Sequence, residues 1–296
     1  KNELSNLGFE NCFDFDSSKK EIENKLEKYH GIIIRSRIKI DRVFLDKGIN
    51  LKFIARVGSG TENIDVVYAN KKLIKIISAG EANANAVSEH ALGMILSLKN
   101  RILKSNNEIK EGLWLREKNR GIEIKGKTVG IIGYGKTGKS FAEKLNALGA
   151  NVLCNDIVPN KGDNYAIQVS INEIKEKSNI ISLHTNLNET SLFLINNYFI
   201  DECKNPFYII NTSRGECLKT SDLVEGLKSG KILGACLDVI ENESTSFEEI
   251  DSNNDLDYLK NSKNVIITPH IAGWTYESKA NLSKVILEKI KHMFDL

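Results

Sequence analysis

Residues 128–140 read TVGIIGYGKTGKS. The apolar run Thr128–Ile132 has the look of a buried strand, and Lys139–Leu148 has helical spacing. Between them, Gly133-Tyr134-Gly135-Lys136-Thr137-Gly138 satisfies G-x-G-x-x-G, the dinucleotide fingerprint. With Lys139 and Ser140 the same string also satisfies G-x-x-x-x-G-K-[ST], the phosphate loop of nucleotide triphosphatases. Context separates the two. A dinucleotide site needs Gly133 for the tight turn, Gly135 for close approach of the pyrophosphate and Gly138 for helix–strand packing, with Lys136 and Thr137 in the same loop. It also needs an acidic residue about 20 positions on, at the end of the next strand, for the ribose hydroxyls. Asp156 closes NVLCND eighteen residues beyond Gly138. In this reading Lys139 faces solvent. The phosphate-loop reading puts Lys139 on the phosphates and Ser140 on Mg²⁺, and it leaves the polar residues described below without a task. A purely structural glycine turn is the third alternative. The dinucleotide reading is the one adopted, with NAD over NADP. A 2′-phosphate would meet the Asp156 carboxylate and find no cation at Asn155, Ile157 or Val158.

Outward from this loop, short apolar runs alternate with amphipathic stretches. Strand-like runs are Gly31–Arg35, Lys52–Val57, Leu73–Ile77, Asn151–Asn155, Asn179–Leu183, Phe207–Asn211, Leu233–Val239 and Val265–Thr268. Helical patterns cover Ala86–Leu103, Lys139–Leu148, Asp222–Ser229 and Glu277–Phe294, and Ser170 with Glu173 makes a capping box. Strands separated by helices predict βαβ units, parallel sheets and an α/β fold. The small, polar Gly80–Asn85 and the segment Pro269–Gly273 read as junctions. They assign 84–271 to one domain and join 1–83 with 272–296 in another. Glu241–Ser262 is long for a loop inside a compact domain, and such loops are commonly functional.

Composition narrows the function classes. The 296 residues carry 41 Lys+Arg against 39 Asp+Glu, a net charge of +2. That balance lacks the basic face of a nucleic-acid binder. No apolar run reaches the ~18–20 residues of a membrane span. Five scattered cysteines (Cys12, Cys154, Cys203, Cys217, Cys236) without a C-x-x-C pair read as reduced thiols. With no visible signal peptide, a cytoplasmic protein is expected, without metal, nucleic-acid or membrane partner.

Three polar residues each follow a strand: Arg214 in NTSRG, Glu243 in DVIENE and His270 in TPHIAG. Ligands of open parallel sheets bind beyond the carboxyl ends of strands, so all three point to one crevice. Arg214 offers a planar fork for a carboxylate and a neighbouring oxygen. His270 exchanges a proton near neutral pH, and Glu243 orients the imidazole through its other nitrogen. Beside a hydride cofactor, this set suits alcohol–ketone interconversion next to a carboxylate.

The stretches RVGSGTENID (Arg56–Asp65), NAVSEHALGMIL (Asn85–Leu96), GKTVGIIGYGKTG (Gly126–Gly138), ISLHTN (Ile181–Asn186), INTSRGECL (Ile210–Leu218), LGACLDVIENE (Leu233–Glu243) and ITPHIAGWT (Ile267–Thr275) resemble the D-isomer-specific 2-hydroxyacid dehydrogenase family. The resemblance covers nearly the whole chain. It implies two doubly wound parallel-sheet domains, a Rossmann NAD-binding domain inserted in a flavodoxin-like substrate domain. It implies Arg214, Glu243 and His270 as catalytic trio, with Glu241 second for the Glu role. It further implies main-chain N–H groups at Ser59 and Gly60 on the substrate carboxylate, Asp238 on the nicotinamide carboxamide, and Thr212 and His184 along the cofactor. A homodimer packed through Ala86–Leu103 and the segment around Trp114 follows from the same resemblance. The chain departs from the family where Ser244 and Asn186 replace prolines. A missing first strand suggests that residues precede Lys1, and no C-terminal regulatory domain is expected.

Arg35-Ser36-Arg37, after the strand GIII, resembles 3-phosphoglycerate dehydrogenases, where such cations meet a substrate phosphate; Lys39 is a further candidate. The expected reaction is therefore oxidation of D-3-phosphoglycerate at C2, the entry to serine biosynthesis, or its reverse. Trp274 shapes the pocket or pins the hinge. The alternatives are a glyoxylate/hydroxypyruvate or other 2-keto-acid reductase, an NAD-sensing co-repressor-like binding protein on the same fold, and the phosphate-loop triphosphatase. A solvated basic strand end is the bland reading of the RSR turn.

Overall fold

The computed structural model describes residues 2–241, 243 and 254–295. The chain divides into two compact units, Lys1–Asn83 with Tyr276–Leu296, and Ala84–Thr275. The return to the first unit follows Thr275, four residues beyond the expected 271/272 break.

The smaller unit has three parallel strands, β1 (Gly31–Ile34), β2 (Phe53–Arg56) and β3 (Lys75–Ser78), in that spatial order. Ile34 stands opposite Arg56, and Arg56 opposite Ser78. Helices α1 (Asn2–Asn6), α2 (Lys19–Glu23), α3 (Arg42–Lys47), α4 (Val66–Lys71) and α12 (Tyr276–Met293) belong to this unit. Side chains alternate across a strand, so β2 serves two cores. Ile54 packs with Phe44 and Leu45 of α3 and Ala69 of α4, while Phe53 and Ala55 pack with Ile286 and Ile290 of α12. Asp41 and Asp65 start α3 and α4 by accepting from Phe44 N (3.1 Å) and Tyr68 N (2.9 Å).

The larger unit carries seven parallel strands: β4 (Thr128–Ile132), β5 (Asn151–Asn155), β6 (Ile167–Gln168), β7 (Ile180–Leu183), β8 (Phe207–Asn211), β9 (Ile232–Leu237) and β10 (Val265–Ile267). Their order is β10-β9-β8-β7-β4-β5-β6, so the winding reverses at β4, which pairs with β5 on one side and β7 on the other. The helices are α5 (Ala84–Lys99), α6 (Ile102–Lys110), α7 (Lys136–Ala147), α8 (Ile171–Lys177), α9 (Asn197–Glu202), α10 (Thr220–Ser229) and α11 (Asn254–Asn261). Ile180, Ile210 and Cys236 pack on one face with Ile95 of α5 and Phe141 of α7. Ile181, Ile209 and Leu237 pack on the other with Phe199 of α9 and Leu223 of α10. Burial on both faces explains why these strands read as unbroken apolar runs.

Three local expectations change. The helix expected over Ala86–Leu103 is two helices. Arg101 takes a left-handed φ of 55°, and Ile122 N donates to Lys99 O at 3.0 Å, ending α5. Part of the expected loop Glu241–Ser262 is the helix α11, which buries Leu256 and Leu259 on one face. Asn242 and residues 244–253, including the Ser244 departure, lie outside the described residues. The two-residue strand β6, paired with Leu153 and Cys154, is too short to leave a pattern in sequence.

Candidate active site

The strand order of the larger sheet determines which loops meet. Reading along its carboxyl edge, β10 delivers His270, β9 Asp238, β8 Thr212 and Arg214, β7 His184, β4 Gly133 and β5 Asp156. Neighbouring strands lie ~4.8 Å apart, so five steps spread these residues over roughly 24 Å of one edge. The reversal at β4 places the glycine loop at the switch point, where such sheets bind ligands.

The glycine loop is a tight turn packed closely against the sheet. Gly133 has φ +91°, and a Cβ there would lie 2.6 Å from His184 O. A Cβ on Gly138 would lie 2.2 Å from Gly133 O, so α7 can approach β4 only without it. Gly135 is exposed and has no atom within 4 Å of a Cβ position, leaving open space above the start of α7. Asp156 accepts from Tyr134 N (2.7 Å) and Val158 N (2.9 Å), which fixes its carboxylate beside the loop. Lys139 does not simply face solvent. It pairs with Asp163 at 2.8 Å, and Asp163 also accepts from the Tyr134 hydroxyl at 2.8 Å. Ser140 Oγ lies 2.9 Å from Ser88 Oγ. Both side chains that a phosphate loop would require are thus engaged by the protein itself.

Two buried polar atoms on this edge, His184 Nδ1 and Thr212 Oγ1, have no hydrogen-bond partner among the described residues. Buried polar atoms are normally satisfied, so an orphaned pair calls for a ligand or water. His184 Nε2 lies 2.8 Å from Ser182 Oγ, and its ring is 5.3 Å from that of Phe141. Burial pushes the His184 imidazole down to about 3, so the ring is neutral. Open space over Gly135, orphaned polar atoms at Thr212 and His184, and a fixed carboxylate at Asp156 fit a dinucleotide along the edge.

At the other end, His270 Nδ1 lies 2.7 Å from Glu243 Oε2, and Glu243 Oε1 accepts from Ile240 N at 2.6 Å. A carboxylate only accepts, so Nδ1 carries the proton and Nε2 is left as the basic nitrogen. His270 holds a left-handed φ of 54°. For a non-glycine residue this costs on the order of 1–3 kcal/mol and needs support from its surroundings. Asp238 provides it: the main-chain N–H of His270 donates to Asp238 O (2.8 Å), while Ile271 N and Ala272 N donate to its carboxylate at 2.9 and 2.8 Å. That carboxylate is 2% exposed and accepts from Thr268 Oγ1, Ile271 N and Ala272 N. Glu241, the alternative to Glu243, instead accepts from Thr220 N at 3.0 Å, at the start of α10. Arg214 sits in a turn built by buried Asn211, whose side chain donates to Arg214 O (2.9 Å) and accepts from Ser213 N (3.1 Å). The turn presses on the Glu243 loop: a Cβ on Gly215 would lie 2.1 Å from Ile240 O. One Arg214 N–H donates to Ser213 O at 2.6 Å.

The sequence profile of the D-isomer specific 2-hydroxyacid dehydrogenase NAD binding domain matches residues 92–272. The chain belongs to that family. It is 33% identical over 279 residues to the D-3-phosphoglycerate dehydrogenase of Archaeoglobus fulgidus, covering 93% of this chain and 51% of that one. It is 34% identical over 272 residues to the hydroxypyruvate reductase of Thermotoga maritima, covering 92% and 87%. The solved structure of a D-lactate dehydrogenase from Aquifex aeolicus, complexed with NAD and lactic acid, matches with a TM-score of 0.80 at 30% identity, covering 92% of this chain and 85% of that one. The chain thus spans about half the length of the phosphoglycerate dehydrogenase and most of the hydroxypyruvate reductase.

The remaining residues expected of this 2-hydroxyacid dehydrogenase family member lie in the smaller unit, at the carboxyl edge of adjacent strands. Arg35, Ser36 and Arg37 follow β1; Arg35 and Arg37 are exposed, and Arg37 donates to Ser17 O at 2.7 Å. Ser59 and Gly60 follow β2, and Ser59 Oγ donates to Asn83 Oδ1 at 2.7 Å. Sequence reasoning passed over Asn211, Thr268 and His90. Asn211 carries a readable signal, an Asx turn at a strand end. The partners of Thr268 and His90 are 30 and 178 residues apart in sequence and carry none.

Among the described residues, no group of three or more His, Cys, Asp or Glu side chains is placed to hold a metal ion. No described helix is long and apolar enough to cross a membrane.

Proposed function

We propose that the protein is an NAD-dependent D-2-hydroxyacid dehydrogenase interconverting D-3-phosphoglycerate and 3-phosphohydroxypyruvate. The observation that carries the reaction class is the 2.7 Å His270–Glu243 pair beside the Arg214 turn, on the edge that also holds the glycine loop. Bound nicotinamide supplies the hydride acceptor in one direction and the donor in the other. In oxidation His270 Nε2 takes the proton of the C2 hydroxyl as hydride leaves C2 and the carbonyl forms. Glu243 accepts from Nδ1–H throughout and stabilises the imidazolium. Arg214 holds the carboxylate and the C2 oxygen as charge moves between them. In reduction His270 Nε2 returns its proton to that oxygen. Asp156 is assigned to the ribose diol and the amides of Gly135–Gly138 to the pyrophosphate, with His184 and Thr212 lining the cofactor.

The substrate assignment rests on charge. Arg35 and Arg37, with Lys39 nearby, answer the extra negative charge of a phosphorylated acid, and the main-chain amides of Ser59 and Gly60 hold its carboxylate. Exposure of Ile102, Leu103, Ile109 and Trp114 on and after α6, which buries no residue, supports a homodimer formed through this region.

The test is NADH consumption with equimolar 3-phosphohydroxypyruvate, hydroxypyruvate, glyoxylate and pyruvate. Preference for the phosphorylated acid should fall ~10–100-fold in kcat/KM for Arg35→Ala or Arg37→Ala, the loss expected of one charge-assisted hydrogen bond. Equal or better use of the unphosphorylated acids refutes the phosphate assignment and leaves a general 2-keto-acid reductase.

A further inference from the structure

We infer that His90 is a positioning residue that holds the His270 turn through Thr268 and Asp238; the inference rests on the reading of His270 as the proton donor and acceptor. His90 lies on α5, and its Nε2 is 2.9 Å from Thr268 Oγ1. Thr268 Oγ1 is in turn 2.5 Å from Asp238 Oδ1. The directions follow from proton count. An ionised carboxylate can only accept, and a hydroxyl has one proton to give. Thr268 therefore donates to Asp238, and His90 Nε2–H donates to Thr268. His90 Nε2 also lies 3.5 Å from Asp238 Oδ1. Met94, one helical turn further along α5, brings its sulfur to 4.0 Å from the same hydroxyl, so α5 touches Thr268 twice.

The end of this chain is the reacting turn. The Asp238 carboxylate receives the N–H groups of Ile271 and Ala272, and its main-chain oxygen receives that of His270. Three consecutive residues are thereby tied to Asp238, the first of them His270 with its left-handed backbone. Such a backbone persists where neighbours over-determine it. His90 and Thr268 keep the Asp238 carboxylate in the rotamer that does so. Neither is assigned a contact with substrate or cofactor, so their effect reaches the chemistry through Asp238 and the placement of Nε2.

The experiment compares His90→Leu, His90→Gln, Thr268→Val, the Leu/Val double variant and His270→Ala. Misplacing a reacting group by about 1 Å costs up to ~10²-fold, and a loosened turn should cost His90→Leu ~10-fold in kcat, with NADH Kd and keto-acid KM within about twofold of wild type. His90→Gln presents an N–H at nearly the same place and should recover kcat to within about threefold. Because the two side chains act as one chain, the double variant should be no slower than the slower single one. An unimpaired kcat in His90→Leu, equal losses in His90→Gln and His90→Leu, or multiplying losses in the double variant would each overturn the inference. If His90→Leu fails to melt cooperatively, Thr268→Ser against Thr268→Val decides. Retained turnover in Ser and loss in Val support the relay, and equal turnover overturns it. Turnover retained in His270→Ala would remove the acid–base reading itself. An inactive His270→Ala beside an unimpaired His90→Leu removes only the relay.

Discussion

Gly135→Ala separates cofactor binding from folding. Of the three glycines in the fingerprint, Gly133 holds a left-handed backbone, and Gly138 would bring a Cβ to 2.2 Å from a main-chain oxygen. Gly135 has neither constraint: its φ is −82°, and a Cβ there meets no protein atom within 4 Å. Restricting the unfolded chain should stabilise the alanine variant by ~0.4–1 kcal/mol. Losing a glycine N-cap costs a similar amount, so the melting temperature should stay within about 2 °C of wild type. The Cβ projects into the space assigned to the pyrophosphate. Displacing one charge-assisted hydrogen bond to an anion costs ~1.5–3 kcal/mol, a ~10–100-fold rise in NADH Kd. Fluorescence titration with NADH beside a thermal melt measures both. Gly138→Ala is the contrast: relieving its contact needs a shift of about 1 Å between α7 and β4, at ~1–3 kcal/mol of stability. Wild-type NADH affinity in Gly135→Ala would refute the placement of the pyrophosphate. Equal destabilisation by both substitutions would refute the steric account of the loop.

Three further outcomes are expected. His270→Ala should lower kcat at least ~10²-fold with NADH affinity intact, and near-normal turnover removes it from the reaction. Lys99 is 4% exposed, with its ammonium 4.5 Å from the Tyr208 ring centre. Burial, and secondarily the charge of Lys127, pushes it down to about 8. Its charge is therefore unfavourable in the folded state at pH 7, and that penalty fades as pH rises from about 8 towards the unfolded value near 10.5. Lys99→Met should stabilise by up to ~3 kcal/mol at pH 7, less ~0.5–2 for the lost cation–π contact. The gain should shrink by pH 10, and equal melting gains at both pH values would refute this. His184 is held at about 3 by burial, below its ordinary 6.5. As pH falls from 6.5 towards 3 the unfolded chain takes up a proton that the folded chain refuses, and stability drops. His184→Gln should flatten the acid limb of a melting-temperature profile, and an unchanged limb counts against a buried neutral ring.

What the sequence determined by itself is what depends on neighbours along the chain. The strands β4, β5 and β8 stand where their sequence patterns place them, β4 and β8 because a strand buried almost throughout needs no distant information to be seen. The capping box at Ser170–Glu173 forms as written, its two reciprocal bonds closing within four residues. The spacing of Gly133, Gly135, Gly138 and Asp156 was legible for the same reason, as was the position of Arg214 and His270 after strands. Tertiary structure alone decided features whose partners lie far off in sequence. The helix from Ala84 stops at Lys99 because Ile122 reaches back to its carbonyl. Lys139 is held by Asp163, 24 residues on, which periodicity cannot show. Glu243 ranks ahead of Glu241 on paper only through the family resemblance, and in the fold Thr220 N engages Glu241 while His270 meets Glu243. His90 looks like one more polar residue of a helix until the sheet order brings Thr268 to it across 178 residues.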